Sequence, residues 1–285
     1  MKPLSSLLSL WLLQFGVSQA VVYVDGSSND WTPMIGNFDY HVDQQTGKSD
    51  GDIVGGTGTN YGFLVAFNDN GDVNSIDGTL GFRIRVDEHG GNNNNPQPTN
   101  VFWVGVDANN DGALDVFLGA NFQGGSSQLE IRAPGNGLNQ SPSTTTISNS
   151  TFKTYTLDTI EDVTPANFNY RPVNFLTDGG NTNDVTGTGE PDYYLSFMIP
   201  FGDIVEFLGN LQTPINITDT SPLRFIVATS TQANSLNQDI GGIAGGLDTP
   251  WIEVYPPPYN PVPEPSSSFL ALGALAGAGL VRRRR

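Results

Sequence analysis

The sequence predicts an all-β protein, a single antiparallel β-sandwich with one short helix. Three observations predict it. Short apolar runs rich in Val, Ile, Phe and Tyr are divided by clusters of Gly, Asn, Asp, Ser and Thr, which is the pattern of strands and turns. The 285 residues include 34 Gly and 19 Pro, a composition that favours many turns over long helices. One run, Thr79 to Val86, alternates strictly, with Leu80, Phe82, Ile84 and Val86 on one face and Gly81, Arg83 and Arg85 on the other. About eight to ten such runs occur at irregular spacing, so a jelly roll is the rival topology.

The elements follow in chain order. Met1 to Ala20 carries Lys2, the apolar run Leu7 to Val17, and Ser18-Gln19-Ala20. Small residues three places and one place before Val21 mark a secretory signal helix cleaved between Ala20 and Val21. Trp31 to Phe38 is apolar-rich and leads into an acidic loop holding Asp39, Asp43, Asp50 and Asp52. Tyr61 to Phe67 reads as a strand and Asn68 to Asp72 as a turn. The alternating Thr79 to Val86 is expected to be half buried, and Asp87 to Asn100 to be a polar loop. Val101 to Ala120 is a strand–loop–strand unit. Gln128 to Arg132 and Phe152 to Leu157 are shorter strands. Asn174 to Asp192 is a loop, and Tyr193 to Ile199 a strand stopped by Pro200. Phe201 to Leu208 is the short helix, since Ile204, Phe207 and Leu208 share a face. Leu223 to Thr229 is a strand, and Trp251 to Tyr255 closes the domain. The sandwich therefore spans Val21 to Tyr255, with residues 256–262 as a Pro-rich spacer.

Charge and composition exclude some chemistry. The formal net charge is −17. Without Lys2, Glu264 and Arg282 to Arg285, 7 basic and 28 acidic residues remain, a net of −21. A surface that acidic repels nucleic acid and suits a soluble exported protein that attracts divalent cations. Cysteine is absent, which excludes disulfides and thiol catalysis.

The sharpest constellation is Asp107-Ala108-Asn109-Asn110-Asp111-Gly112-Ala113-Leu114-Asp115. Oxygen-bearing side chains stand at places one, three, five and nine, with Gly at six. That is the ligand spacing of a calcium loop. Asp107, Asn109 and Asp111 would each give one oxygen, Ala113 its carbonyl, and Asp115 a direct or water-mediated ligand. The twelfth place is Leu118 and the flanks are strands, so the loop is not an EF-hand. Further ligands would come from Asp50 and Asp52, or from Asp178, Asp184 and Asp192. A metal-free Asx turn is the competing reading.

Aromatic residues form a second set. Trp31, Trp103, Trp251 and the tyrosines at 61, 193, 194 and 255 offer flat faces for sugar rings. Trp103 has apolar neighbours and reads as core, whereas Trp31 and Trp251 lie near loops and are the fairer glycan-binding candidates, although core is the favoured reading for them too. For catalysis the sequence offers little. His41 and His89 lie far apart, no Gly-x-Ser-x-Gly elbow occurs, and Gly55-Gly56-Thr57-Gly58 lacks the lysine of a phosphate loop. Paired carboxylates for glycoside hydrolysis remain open, with Glu190 the residue to test.

The C-terminus is the most specific segment. Pro263-Glu264-Pro265 precedes the apolar run Phe269 to Val281, expected as a hydrophobic helix, and then Arg282, Arg283, Arg284 and Arg285. The arginines hold that end on the cytoplasmic side. This order resembles the PEP-CTERM sorting signal of Gram-negative bacteria. The resemblance implies recognition by an exosortase, a transient inner-membrane intermediate and removal of the tail. It also implies residence in the cell envelope or extracellular matrix, among exopolysaccharide and biofilm. The strand–helix–strand order of the main domain is similar, at fold level, to family 9 carbohydrate-binding modules and DOMON-like domains.

Together these features describe an exported envelope or matrix protein. A non-enzymatic role is expected, binding extracellular polysaccharide or acting structurally, with calcium stiffening one loop. The alternative is an extracellular glycan-acting hydrolase using two carboxylates.

Overall fold

The computed structural model describes residues 21–34, 49–56, 58–69, 76–92, 95–125, 127–160, 166–180, 182–241, 247–254 and 258–260. The signal helix Met1–Ala20, the acidic positions Asp39 and Asp43, and the hydrophobic helix Phe269–Val281 lie outside them. Among the described residues no helix is long and apolar enough to cross a membrane.

The strands are β1 (Thr32–Pro33), β2 (Phe63–Asn68), β3 (Thr79–Val86), β4 (Gly90–Asn92), β5 (Asn95–Gln97), β6 (Val101–Asp107) and β7 (Val116–Asn121). They continue with β8 (Gln128–Pro134), β9 (Ile147–Thr156), β10 (Phe168–Pro172), β11 (Tyr193–Pro200), β12 (Arg224–Ser230) and β13 (Ile240–Gly241). One sheet runs β1-β2-β3-β11-β10 and the other β13-β12-β6-β7-β8-β9, while β4-β5 forms a separate hairpin. Every pairing is antiparallel. The two sheets pack face to face as a β-sandwich.

Alternation sets the central core. Phe63 and Val65 from β2, Phe82 and Ile84 from β3, and Leu195 and Phe197 from β11 meet Val104, Leu118, Ile131 and Phe225 of the other sheet. Phe82 contacts Phe225 edge-on at 5.5 Å between ring centres, the favoured geometry for an aromatic pair. Helix α1 (Phe201–Gly209) follows Pro200 and buries Phe201, Ile204, Phe207 and Leu208, as the sequence periodicity predicts.

The outer faces depart from expectation. β3 is not half buried, because Arg83 and Arg85 are both 0% exposed. Residues 22–31 and the loop before β11 cover that face, where Val22, Val24 and Trp31 pack with Leu64, Tyr194 and Met198. Arg83 donates to the hydroxyls of Ser196 (2.8 Å) and Ser28 (2.9 Å) and to the carbonyl of Val24 (2.8 Å). A buried guanidinium persists only with such partners. On the other sheet, Trp103, Phe117 and Ile226 are roofed by Ile147, Ile240 and Trp251. The ring of Trp103 lies across its cross-strand partner Gly119, where a Cβ would stand 2.3 Å from the indole.

Four sequence readings need correction. β9 is not a short strand over Phe152–Leu157 but a 10-residue strand that begins at Ile147, and Trp251–Val254 is a single helical turn, α2. Asp87 to Asn100 is not all loop, since it contains β4 and β5. β10 lies in a stretch assigned to no element. It alternates only briefly and ends at Pro172 on a sheet edge, where proline is tolerated. The domain also does not stop at Tyr255. Tyr259 exchanges both backbone hydrogen bonds with Leu223 (2.8 and 2.7 Å), and its ring joins the central core beside Phe225. Part of the Pro-rich spacer is therefore the last piece of the sandwich.

Candidate functional site

The 107–115 loop joins two fully buried strands in register, with Val106 opposite Val116. Its side-chain oxygens cap its own backbone. Asp107 accepts from the N–H groups of Asp111 (3.2 Å) and Gly112 (3.0 Å). Asn109 accepts from the N–H of Asp111 (2.9 Å), Asp111 from that of Ala113 (2.9 Å), and Asp115 from that of Ala108 (2.8 Å). The chain reverses at Asn110 and Gly112, both left-handed at φ 61° and 92°. Asn110 ties the loop to β12, donating to the carbonyl of Pro222 (2.9 Å) and accepting from Arg224 (3.0 Å).

The electrostatics of the turn are set by burial and by like charge. Burial lifts the Asp107 carboxyl above its usual range, although the Gly112 N–H opposes the shift. Burial, reinforced by Asp107 and Asp111, pushes Asp115 up to about 6 against the Ala108 N–H. Like charges crowd at this turn, with Asp107 and Asp111 both raising the Asp115 carboxyl.

The second-loop ligands suggested from sequence do not reach this turn. The Thr99 hydroxyl donates to Asp50, and the Asp87 N–H bonds the Asp52 carbonyl (3.0 Å). Both lie at the Asn100 end of β6. Asp107 closes the other end of that 7-residue strand, roughly 20 Å away at about 3.4 Å per residue. Asp178 pairs with Arg171 (2.7 Å) on the covered face of the first sheet. Asp192 precedes β11, whose Tyr193 stands opposite Val86, so it too belongs to the far end, with Asp184 near it.

The aromatic candidates are also relocated. Trp31 is 3% exposed and Trp251 0% exposed, so neither offers a platform to a sugar. Trp31 lies against the Arg83 guanidinium, 4.5 Å from ring centre to charge, and the Trp251 indole donates to the Thr145 hydroxyl (3.1 Å). Tyr193 and Tyr194 are buried, and Tyr255 lies outside the described residues. Proximity to a loop in sequence does not mean exposure, because the loops themselves fold over the sheets.

A groove of about 380 Å³ does combine an aromatic face with amides and hydroxyls. Gln97, Thr99, Phe122, Gln123, Ser127 and Tyr170 line it. These residues come from four separate stretches, and Tyr170 lies on β10, the strand the sequence did not reveal. Partly buried aromatics beside side-chain amides suit the apolar faces and hydroxyls of sugars. Of the catalytic candidates, His89 packs edge-on to Tyr193 with its Nδ1 2.9 Å from the Gly90 carbonyl. Glu190 is exposed in the loop before β11, and His41 lies outside the described residues.

Residues 261–285 match the PEP-CTERM protein-sorting motif, which covers Pro263, Glu264, Pro265 and Arg282 to Arg285. That motif implies recognition by an exosortase and export to the cell envelope or extracellular space. No curated protein and no solved structure matches the chain. Lys2, Ala20 and the sorting segment itself lie outside the described residues.

Proposed function

With the sorting motif as premise, we propose that this chain is a non-enzymatic envelope or matrix protein. Its signal peptide is removed between Ala20 and Val21, an exosortase removes the tail after a brief inner-membrane stage, and the sandwich remains outside the cell. There it binds extracellular polysaccharide or packs within the polymer, and calcium stiffens the 107–115 loop through Asp107, Asn109, Asp111, Ala113 and Asp115. The motif at residues 261–285 is the observation that carries this reading. The groove at Tyr170 and Phe122 supports a saccharide ligand, and the net charge of −17 supports solubility and cation affinity outside the cell.

The sorting step is tested by intact-mass measurement on protein from the native host, which should lack Arg282 to Arg285. Ligand binding is tested by retardation on exopolysaccharide gels. Ser127 is exposed on the groove wall, so Ser127→Trp should fill the groove and abolish retardation without unfolding the domain. Retardation that survives Ser127→Trp would move the ligand elsewhere. Release of reducing ends by wild-type protein would replace this reading with the two-carboxylate hydrolase.

A further inference from the structure

A second acidic constellation stands at the end of the sandwich opposite the 107–115 loop. Asp87 directly follows β3 and Asp192 directly precedes β11, and the pairing of Val86 with Tyr193 sets these two carboxylates side by side. Asp184 reaches them from the loop between. One carboxylate oxygen from each of Asp87, Asp184 and Asp192 lies within 4.8 Å of the other two, the one such grouping among the described residues.

Asp192 carries the argument. It is 0% exposed. Its Oδ2 accepts from Arg85 Nε (2.6 Å) and from the Val185 N–H (3.2 Å). Its Oδ1 is equally buried and has no hydrogen-bond partner. A buried carboxylate oxygen left without a hydrogen bond is costly, and a bound cation beside it would remove that cost. Three carboxylates gather here and only one of them, Asp192, pairs with a guanidinium, an excess of negative charge that suits a cation.

The surroundings hold the other two acids in place. Asp184 Oδ1 accepts from the Gly187 N–H (2.6 Å) and Oδ2 from the Gly189 N–H (2.9 Å). Both glycines are left-handed, at φ 76° and 96°, which lets the loop curl around the carboxylate. The Thr186 hydroxyl donates to Asp87. These are the fixed outer contacts expected around a cation's ligands. All-oxygen donors select a hard ion over a soft one. Two oxygens on opposite sides of calcium stand about 4.8 Å apart, given ligand distances of 2.3–2.6 Å.

We propose that Asp87, Asp184 and Asp192 bind one hard divalent cation, calcium by size, which clamps the 182–192 loop to the ends of β3 and β11. This site is independent of the 107–115 loop and of any role in polysaccharide binding.

The test uses processed protein stripped with EDTA and titrated with calcium chloride by calorimetry. An Asp111→Ala background removes the contribution of the other loop. One equivalent of calcium should still bind, and adding Asp184→Asn should weaken it at least tenfold while the EDTA-treated proteins melt alike. Asp184 is only half buried, and Asn keeps its shape and one oxygen to accept from one of the two glycine N–H groups, while the other glycine, exposed, can turn its N–H to water. No binding in the Asp111→Ala background, or binding unchanged by Asp184→Asn, overturns the proposal. Should Asp184→Asn fail to fold, crystals of unaltered protein soaked in terbium decide it. An anomalous peak among the three carboxylates supports the site, and its absence there refutes it.

Discussion

Tyr259 offers a direct test of where the domain ends. The sequence places it in a spacer, whereas the structure docks it against Leu223 and leaves the residue 9% exposed. Tyr259→Ala removes a buried aromatic ring. Such truncations cost about 3–5 kcal/mol in a core, and the lower figure applies because the ring stands at the end of the sheet. The backbone pair survives that substitution. Ending the chain at Tyr255 removes it too, adding about 1 kcal/mol for each of two hydrogen bonds. Truncation should then cost about 5 kcal/mol, a large share of the 5–15 kcal/mol typical of a whole domain. The assay is urea unfolding of the chain from Val21 to Val262, of its Tyr259→Ala variant, and of a chain ending at Tyr255. The midpoint should fall in that order. Equal midpoints for the two lengths would show that Tyr259 contributes nothing and would return the boundary to Tyr255. The outcome bears on processing. Three residues separate Tyr259 from Pro263, so four peptide steps, a reach of at most about 14 Å, lie between the folded edge and the sorting motif.

Three other outcomes are expected. Gly119→Ala should cost about 3 kcal/mol and change the near-UV circular dichroism of tryptophan, because the new methyl would meet the Trp103 ring at 2.3 Å. Burial pushes the Asp178 carboxyl up, but hydrogen bonds from Arg171, the Asn174 N–H and the Ser28 hydroxyl outweigh it and hold the group at about 2, below its ordinary 3.8. Its stabilisation, about 2 kcal/mol, is therefore present above pH 4 and lost as the pH falls towards 2, and Asp178→Asn should flatten that part of the stability–pH curve. Added calcium should raise the melting temperature of the processed protein, and Asp111→Ala should remove the share due to the 107–115 loop. An increase unaffected by that variant would leave the loop as a metal-free Asx turn.

Local pattern determined much of this protein. The alternation of Leu80, Phe82, Ile84 and Val86 fixed the inward face of β3, and the three-four spacing of Ile204, Phe207 and Leu208 fixed the helix after Pro200. The sorting segment was legible because its recognition depends on linear order alone, Pro-Glu-Pro, then apolar residues, then arginines. What covers an outward face was not legible. Periodicity assigns Arg83 and Arg85 to one side of a strand, but burial depends on whether residues 22–31 and the loop before β11 return to roof that side. The same roofing hid Trp31 and Trp251. The groove at Tyr170 and the meeting of Asp87, Asp184 and Asp192 likewise exist only once β3, β10 and β11 pair, because antiparallel register brings together residues that lie about a hundred positions apart on β3 and β11, and more than twenty apart on β10 and β11.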